Sequence, residues 1–365
     1  CRIREGPWDQ KSGFTFPGTI LFTGEKGRGV FSLSGSPPVS YQVLDPSVEF
    51  HILGLSQDED WLAVSGITRD TRGKVNLGIV PITLYSDQGE KKRSNLDLIS
   101  IKDSSLFSVP WDVKPRDMAL RGYWNSHWLS SSNIFSGFYA EEYDCDIRCA
   151  PNFIPIVFNP FTGEILIDKT TNMPQWLGSM DFSGDITRVI YEGEHGVYLR
   201  DFPSRDRLFL DDGGVAGLIK WSSDDQKVAY TPLEISTRPA KLTIMDREGK
   251  NILRIPLPDS IRFLSGIAWS PENDKLVLTA WTQEEAGLIL IYDIAKESYQ
   301  FQCSIPNQNW TGIDPVWSPD GNMIVVGIND LSGHFDILNL ENKSIFRSEV
   351  SGRPAAWASD PDWGK

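Results

Sequence analysis

Short apolar segments alternate with polar turns along most of the chain. Segments such as GTILFTG at 18–24 and GVFSLSG at 29–35 have strand length and end in glycine. No window of a dozen residues keeps a 3.6-residue apolar spacing free of Gly or Pro, so the pattern does not favour helices. The 13 Trp, 31 Gly and 23 Pro agree with this pattern, because aromatic residues favour strands while Gly and Pro favour turns. The sequence therefore predicts an all-β protein.

One strand–turn–strand phrase recurs with a fixed period. Its three clearest copies are GLIKWSSDDQKVAY at 217–230, SGIAWSPENDKLVL at 265–278 and IDPVWSPDGNMIVV at 313–326. Their tryptophans, Trp221, Trp269 and Trp317, are spaced 48 residues apart. A period of about 40 to 50 residues is typical of the blades of a β-propeller. Weaker copies surround Phe182 and occupy 51–64.

The two ends of the chain complement each other. The segment RPAAWASDPDW supplies Trp357, the first strand of a further copy, and the chain then ends. Three strands without such a leader lie near the N-terminus, between residues 18 and 45. Pairing of the C-terminal strand with these N-terminal strands would close a ring and remove an exposed sheet edge. We therefore predict a single β-propeller over 18–365, with about seven four-stranded blades.

Six blades are the alternative, because the predicted body at 106–170 lacks the turn phrase. Residues 1–17 contain no element that the pattern assigns, and we interpret them as an N-terminal tether.

The phrase Trp-Ser-Pro-Asp-Gly at 317–321 resembles the Pro-Asp repeats of TolB-like and WD40-like β-propellers. The resemblance is good from about 180 to 360 and extends to 18–175 only in outline. It implies that the aromatic residue packs between blades and that Ser and Asp hold a tight turn. The smaller α/β domain that precedes the TolB propeller has no counterpart here, so a TolB-specific role is not implied. The residues assigned to the structural repeat are Phe182, Trp221, Trp269, Trp317, Asp320 and Trp357.

Catalytic motifs are absent from the sequence. There is no Gly-x-Ser-x-Gly, no His-Glu-x-x-His, no P-loop and no Gly-x-Gly-x-x-Gly that opens a helix. The four histidines are isolated from one another. We therefore predict no catalytic residue, no cofactor and no metal ligand. The alternative is an enzyme with two carboxylates that face the central channel, since such a pair hydrolyses glycosides.

The segment AEEYDCDIRC holds both an acidic cluster and two cysteines. The carboxylates within 141–146 are interpreted as a solvated loop, with a calcium site as the alternative. Cys145 and Cys149 are predicted to form a disulfide in an oxidising compartment. Free thiols and a zinc half-site are the other possibilities, and the zinc site would need two further ligands.

The same part of the chain is rich in aromatic residues and is interpreted as an insertion in its blade. Rings beside an arginine suit a protein interface, because a few buried aromatic and arginine side chains carry most of the binding energy. The alternative is that about half of these rings pack the irregular blade. The candidate partner-binding residues are Trp124, Trp128, Phe138, Tyr139, Tyr143 and Arg148.

The first residue of the chain, Cys1, leads to a hypothesis about where the protein is located. A chain that begins with Cys resembles a mature bacterial lipoprotein, in which the Cys1 sulfur carries a diacylglycerol thioether. Acyl chains anchor a protein without a transmembrane helix. A truncated or proteolysed end is the alternative. The net charge of −14 opposes binding to nucleic acid phosphates.

These observations lead to one main functional hypothesis. The chain is predicted to be a non-catalytic, lipid-anchored β-propeller on the extracytoplasmic face of a membrane, in the periplasm or at the cell surface. There it would bind other proteins of a membrane or envelope assembly. The alternatives are a propeller hydrolase acting on glycans or peptides, and a periplasmic sensor that binds a small ligand in its channel.

Overall fold

The computed structural model describes most of the chain in several stretches. The described residues are 2–4, 15–35, 38–59, 61–69, 75–76, 82–86, 124–129, 132, 134–141, 152–159, 165–167, 180–193, 196–202, 204, 207–211, 216–232, 241–306, 315–327, 334–348 and 350–360. Within these stretches there is no α-helix, and Glu25–Gly27 forms a single 3-10 turn. The predicted all-β class is confirmed.

The strands are numbered in chain order. Those of the first half are β1 Arg2–Arg4, β2 Thr19–Thr23, β3 Arg28–Ser34, β4 Val39–Leu55, β5 Trp61–Arg69, β6 Val75–Asn76, β7 Ile82–Ser86, β8 Trp124–Trp128, β9 Phe135–Glu141, β10 Asn152–Phe158, β11 Ile165–Ile167, β12 Met180–Phe182 and β13 Arg188–Gly193. Those of the second half are β14 Gly196–Asp201, β15 Arg207–Asp211, β16 Ala216–Trp221, β17 Lys227–Pro232, β18 Lys241–Asp246, β19 Leu253–Pro256, β20 Ile261–Trp269, β21 Lys275–Thr282, β22 Ala286–Asp293, β23 Ser298–Pro306, β24 Val316–Trp317, β25 Met323–Gly327, β26 Phe335–Asn339, β27 Ser344–Arg347 and β28 Arg353–Ala358.

The sheets have the meander order of propeller blades. Four of them are four-stranded, namely β8–β11, β12–β15, β16–β19 and β20–β23, and a fifth contains β24–β27 with β1 added at its edge. The seven-stranded sheet runs β28-β2-β3-β4-β5-β6, with β7 also paired to β5. It contains two blade units, because the first half of β4 pairs with β3 and the second half with β5. The described strands thus form seven blade units.

The C-terminal strand lies where the sequence predicted it. β28 pairs antiparallel with β2, and Thr19 and Ile20 face Ala358 and Trp357 in the register. This pairing places residues from both ends of the described chain in one sheet. The free edges that β2 and β28 would otherwise expose are thereby satisfied.

Apolar residues pack each sheet against the next. Separate buried clusters join β12–β15 to β16–β19, β16–β19 to β20–β23, and β20–β23 to β24–β27. A further cluster joins the β24–β27 sheet to β2 and β28, so the contacts return to the start of the chain. The core is therefore a series of layers between neighbouring blades.

The repeated turn owes its shape to a serine and an aspartate. The Ser318 hydroxyl donates to the Asp320 carboxylate at 2.6 Å and to the Met323 carbonyl at 3.1 Å, and it accepts from the Met323 N–H at 2.8 Å. Equivalent Ser–Asp pairs lie at Ser183–Asp185 and Ser222–Asp224. In this geometry the side chains replace backbone partners in a tight turn.

The repeat tryptophans connect neighbouring blades. Each donates its indole N–H to a carbonyl that lies one residue before the equivalent position of the preceding blade. These hydrogen bonds are Trp221 to Asp181 at 3.2 Å, Trp269 to Lys220 at 3.0 Å and Trp317 to Ala268 at 3.2 Å. Phe182 occupies the same position without a donor and is 1% exposed. These aromatic side chains therefore pack between neighbouring blades.

A left-handed backbone position recurs four residues after each of these four sites and four residues after Leu55, which occupies the same place in the copy at 51–64. Its φ lies between +53° and +70°. The residues concerned are Glu59, Ile186, Asp225, Asn273 and Gly321.

The side chain at this position depends on the neighbouring turn. Asp225 accepts from the Gly184 N–H at 2.8 Å, and Asn273 accepts from the Ser223 N–H at 3.0 Å. At the third site the neighbouring residue is Pro271, which has no N–H to donate, and the left-handed residue is Gly321. A Cβ on Gly321 would lie 3.7 Å from the Pro271 ring. The blades are thus joined by polar as well as apolar contacts.

The predicted N-terminal tether contains residues that pack on the propeller. β1 pairs in parallel with β27, the outer strand of its sheet. Phe16 is 8% exposed and meets Trp357 edge-on, with the ring centroids 5.7 Å apart. Trp357 donates its indole N–H to the Pro17 carbonyl at 2.6 Å. The described parts of 1–17 therefore belong to the folded body.

Candidate interaction surface

The aromatic segment predicted to bind a partner forms two strands of a regular blade. Trp124 lies on β8 and is the register partner of Phe138 on β9. Tyr139, also on β9, is the register partner of Ile154 on β10. The strands from β8 to β11 make a four-stranded sheet within 124–167, so the described residues of this segment belong to the strands of the blade. Tyr143 and Arg148 lie outside the described residues.

Trp128, another candidate for partner binding, packs inside the propeller instead. It is 8% exposed and meets Phe135 edge-on, with the centroids 5.5 Å apart. Its indole N–H donates to the Gly54 carbonyl at 3.1 Å. Gly54 precedes Leu55, the residue at the repeat position of the preceding blade, so Trp128 makes the hydrogen bond of a repeat tryptophan. The copy of the repeat at 51–64 is recognisable in the sequence. The residues after Trp128, however, lack the aspartate of the repeated turn.

The outer strands of four blades differ in how their edges are protected. On β23 the exposed residues are polar, Gln300 and Gln302, and on β19 they are Arg254 and Pro256. β27 is covered by β1. These are usual ways to keep a sheet edge from pairing with another chain.

Of these four outer strands, β15 is the one that exposes large apolar side chains. It ends the β12–β15 sheet and pairs with β14 on its inner side. Leu208 is 46% exposed and Phe209 is 49% exposed, while Arg207 before them is exposed as well. This run of three residues, Arg207–Phe209, is called the β15 edge below. Large apolar side chains exposed side by side on a sheet edge favour an interaction.

Neighbouring side chains hold the β15 edge in place. The Phe209 ring lies 5.4 Å from the Tyr198 ring, and the Arg207 guanidinium lies 5.0 Å above that same ring. Tyr198 itself is 8% exposed and stacks on Tyr191 at 5.6 Å. A Cβ on Gly249 would come within 2.7 Å of Leu208, so the turn between β18 and β19 lies directly against this leucine. The exposed groups are therefore supported by buried ones.

Carboxylates of the repeated turns are stabilised in their charged form. Partial burial alone would raise the pKa of Asp185, but hydrogen bonds from Thr187, Ser183 and Arg247 outweigh it and lower the pKa to about 2. The pKa values of Asp224, Asp274 and Asp320 are lowered by similar hydrogen bonds. The turns therefore depend on ionised aspartates.

We expect the propeller to lose stability in acid because of these turns. The folded pKa of Asp185 lies below its usual value of 3.8, so protonation favours the unfolded state as the pH falls from about 4 towards 2. Urea unfolding followed by tryptophan fluorescence should give a lower midpoint at about pH 3 than at about pH 6. Asp185→Asn should reduce this difference; an unchanged pH dependence in that variant would contradict the assignment.

Cys303 is disulfide-bonded. It lies on β23, is 1% exposed and packs among Ile289, Ile324 and Ile345. The chain has four cysteines, so the partner of Cys303 is Cys1, Cys145 or Cys149, all of which lie outside the described residues. Disulfides persist in oxidising compartments.

This bond makes two of the sequence predictions mutually exclusive. If Cys1 holds Cys303, the Cys1 sulfur is not available for a lipid thioether. If Cys145 or Cys149 holds Cys303, the predicted bond between Cys145 and Cys149 does not form. The lipid and the short disulfide loop therefore cannot both be present in one chain whose Cys303 is oxidised.

The described residues hold no group of three or more His, Cys, Asp or Glu side chains that could bind a metal. The acidic residues at 142–146 lie outside these stretches, and so does His195. Among the helices of the described part, none is long and apolar enough to cross a membrane.

An open cleft of about 370 Å³ lies beside β2 and β3, in the sheet that β28 joins. Phe22 and Phe31 form its apolar wall and stack on each other at 5.6 Å. Glu25 and Arg28 supply one charge of each sign. Glu25 is the one carboxylate among the described residues that line this cleft.

Comparison with family models and with curated proteins gives no match. Solved structures do resemble the fold. An oligogalacturonate lyase from Vibrio parahaemolyticus is 11% identical with a TM-score of 0.51, over 92% of this chain and 85% of the other. The C-terminal WD40 domain of Sif2 is 10% identical with a TM-score of 0.50, over 93% and 82%. TolB from Acinetobacter baumannii is 13% identical with a TM-score of 0.46, over 93% of this chain and 66% of TolB. At such identities the likeness extends to the fold, and the chain is a β-propeller.

Proposed function

We propose that this β-propeller is a non-catalytic, extracytoplasmic protein that binds other proteins in a membrane or envelope assembly. The observation that carries the proposal is the β15 edge, where Leu208 and Phe209 are each close to half exposed. Burying such side chains against a partner is favourable, at about 25 cal/mol per Å² of apolar surface. Because Tyr198 and Gly249 already fix these groups, binding would order few side chains.

The disulfide at Cys303 supports the extracytoplasmic part of the proposal. The sequence also predicts a lipid anchor at Cys1. That part of the hypothesis requires Cys145 or Cys149 to hold Cys303, because one sulfur atom cannot form both a thioether and a disulfide.

Photocrosslinking in cells of the native source tests the proposal. A photoreactive phenylalanine would be placed singly at Phe209 on the β15 edge, at Gln302 on the polar edge of β23, and at Glu272 and Glu284 in the two turns that flank β21. These positions are all exposed. We expect at least one position to give a discrete adduct that mass spectrometry identifies as an extracytoplasmic protein.

If none of the four positions gave a protein adduct, that result would contradict the proposed function. So would turnover of an oligosaccharide or peptide by the purified chain, because this would favour the hydrolase alternative. An adduct in the turns but not at Phe209 would keep the proposed function and move the partner to another face.

A further inference from the structure

The propeller already accepts an added strand at the outer edge of one blade. β1 lies parallel to β27, with Arg2, Ile3 and Arg4 opposite Ser344, Ile345 and Phe346. An extended segment far away in sequence thus pairs with an outer strand through backbone hydrogen bonds. The β15 edge is in the equivalent place on its own blade, as the last strand of the β12–β15 sheet.

The charge at the β15 edge selects among extended segments. Arg207 forms a cation–π contact with Tyr198, and no carboxylate of the described residues pairs with it. Other arginines do have such partners: Arg188 lies 2.8 Å from Asp201, Arg347 lies 3.0 Å from Asp336, and Arg247 pairs with Asp185. In a chain whose net charge is −14, an exposed guanidinium with no carboxylate partner among the described residues favours a carboxylate from outside.

Apolar contacts would complement this ion pair. Leu208 and Phe209 follow Arg207 on the same strand, and successive side chains of a strand point to opposite faces of the sheet. Arg207 and Phe209 thus share one face, where both contact the Tyr198 ring, and Leu208 lies on the other face. An added strand that alternates acidic and apolar residues would place its carboxylates beside Arg207 and its apolar side chains beside Leu208. Backbone pairing gives affinity in this type of recognition, and the side chains give specificity.

We propose that the β15 edge binds an extended, acidic segment of a partner protein, which adds to the β12–β15 sheet as a further strand. A carboxylate of that segment pairs with Arg207 on one face of the sheet, and an apolar side chain packs on Leu208 on the other. This inference rests on the proposed function and specifies the chemistry of the partner.

A pair of synthetic peptides tests the inference on the whole chain. One is an extended peptide of alternating Val and Glu, and the other has Lys in place of each Glu. Fluorescence anisotropy of the labelled peptides should show that the Glu peptide binds at least about tenfold more tightly than the Lys peptide. Arg207→Glu should reverse this order, and Leu208→Ser should weaken the Glu peptide by about tenfold.

The matched control is Gln302→Glu, which adds a negative charge to the outer strand β23. It should leave the affinity for the Glu peptide within about twofold, because that edge is polar. Thermal unfolding of all three variants should match that of the unaltered chain, since the altered side chains are exposed.

Other outcomes would overturn the inference. Equal binding of both peptides, binding that survives Arg207→Glu, or no binding of either peptide would each do so. Self-association that Leu208→Ser abolishes would assign the edge to a second copy, and binding to anionic vesicles that depends on Arg207 would assign it to a lipid surface. A crosslinked partner at Glu272 or Glu284 together with any of these results would leave the proposed function intact.

Discussion

Replacing Trp221 by alanine is expected to lower the free energy of unfolding by about 3 to 5 kcal/mol, the range for large aromatic residues removed from a core. Trp221 is 4% exposed and belongs to the buried cluster between the β12–β15 and β16–β19 sheets. The substitution would open a cavity between two blades and remove a hydrogen bond that joins them. Urea unfolding at neutral pH measures the change.

Two variants separate the contributions to this effect. Trp221→Phe keeps an aromatic ring but leaves the Asp181 carbonyl without the indole N–H, so it should cost about 1 to 3 kcal/mol. Phe209→Ala removes a ring that is 49% exposed and should cost less than about 1 kcal/mol. If Trp221→Ala cost no more than Phe209→Ala, the repeat tryptophans would not hold the blades together.

The repeated turn could be predicted from sequence because its determinants are local. Ser318, Asp320 and Met323 lie within six residues, and their hydrogen bonds close inside that stretch. The 48-residue period then identifies the fold, since each copy needs the same turn. The pairing of β2 with β28 could also be predicted. The sequence has one repeat strand at its C-terminus that lacks the other strands of a blade, and three N-terminal strands that lack the first strand of a blade, and these allow few other arrangements.

Features that depend on contacts between distant segments could not be predicted in this way. β1 has three residues, too few for a pattern, and its place is fixed by pairing with β27. The sequence alone favours a partner surface for Trp128, because it does not show that the indole of Trp128 reaches Gly54 in another blade. The exposure of Leu208 and Phe209 depends on β15 being an outer strand, which its apolar sequence does not reveal.

Disulfide mapping of the unreduced protein is expected to link Cys303 to Cys1. Ile345 of β27 packs in the same buried cluster as Cys303, and Ile3 of β1 is the register partner of Ile345. Residue 1 is two positions before Ile3, and a strand returns to the same face every two residues. Continuation of β1 by one residue would therefore bring a cysteine to the face that packs on Cys303.

The other two cysteines are less suitable partners. Cys145 and Cys149 lie between β9 and β10, and two whole sheets separate that blade from the β20–β23 blade along the ring. A disulfide needs Cα atoms within about 7 Å. With Cys1 on Cys303, the predicted bond between Cys145 and Cys149 is retained, whereas the lipid thioether on Cys1 is not.

Stability measurements give this assignment a second readout. A bond between Cys1 and Cys303 closes a loop of roughly 300 residues, so Cys303→Ser should lower the free energy of unfolding by about 5 kcal/mol, the upper end for a disulfide. The double variant Cys145→Ser with Cys149→Ser opens a loop of roughly five residues and should cost about 2 kcal/mol. A diacylglycerol mass on the Cys1 peptide, with Cys303 linked to Cys145 or Cys149, would contradict the assignment and favour the lipid anchor. The same digest therefore decides how the N-terminal strand is held, because β1 is secured to the propeller in one case and leads to a membrane in the other.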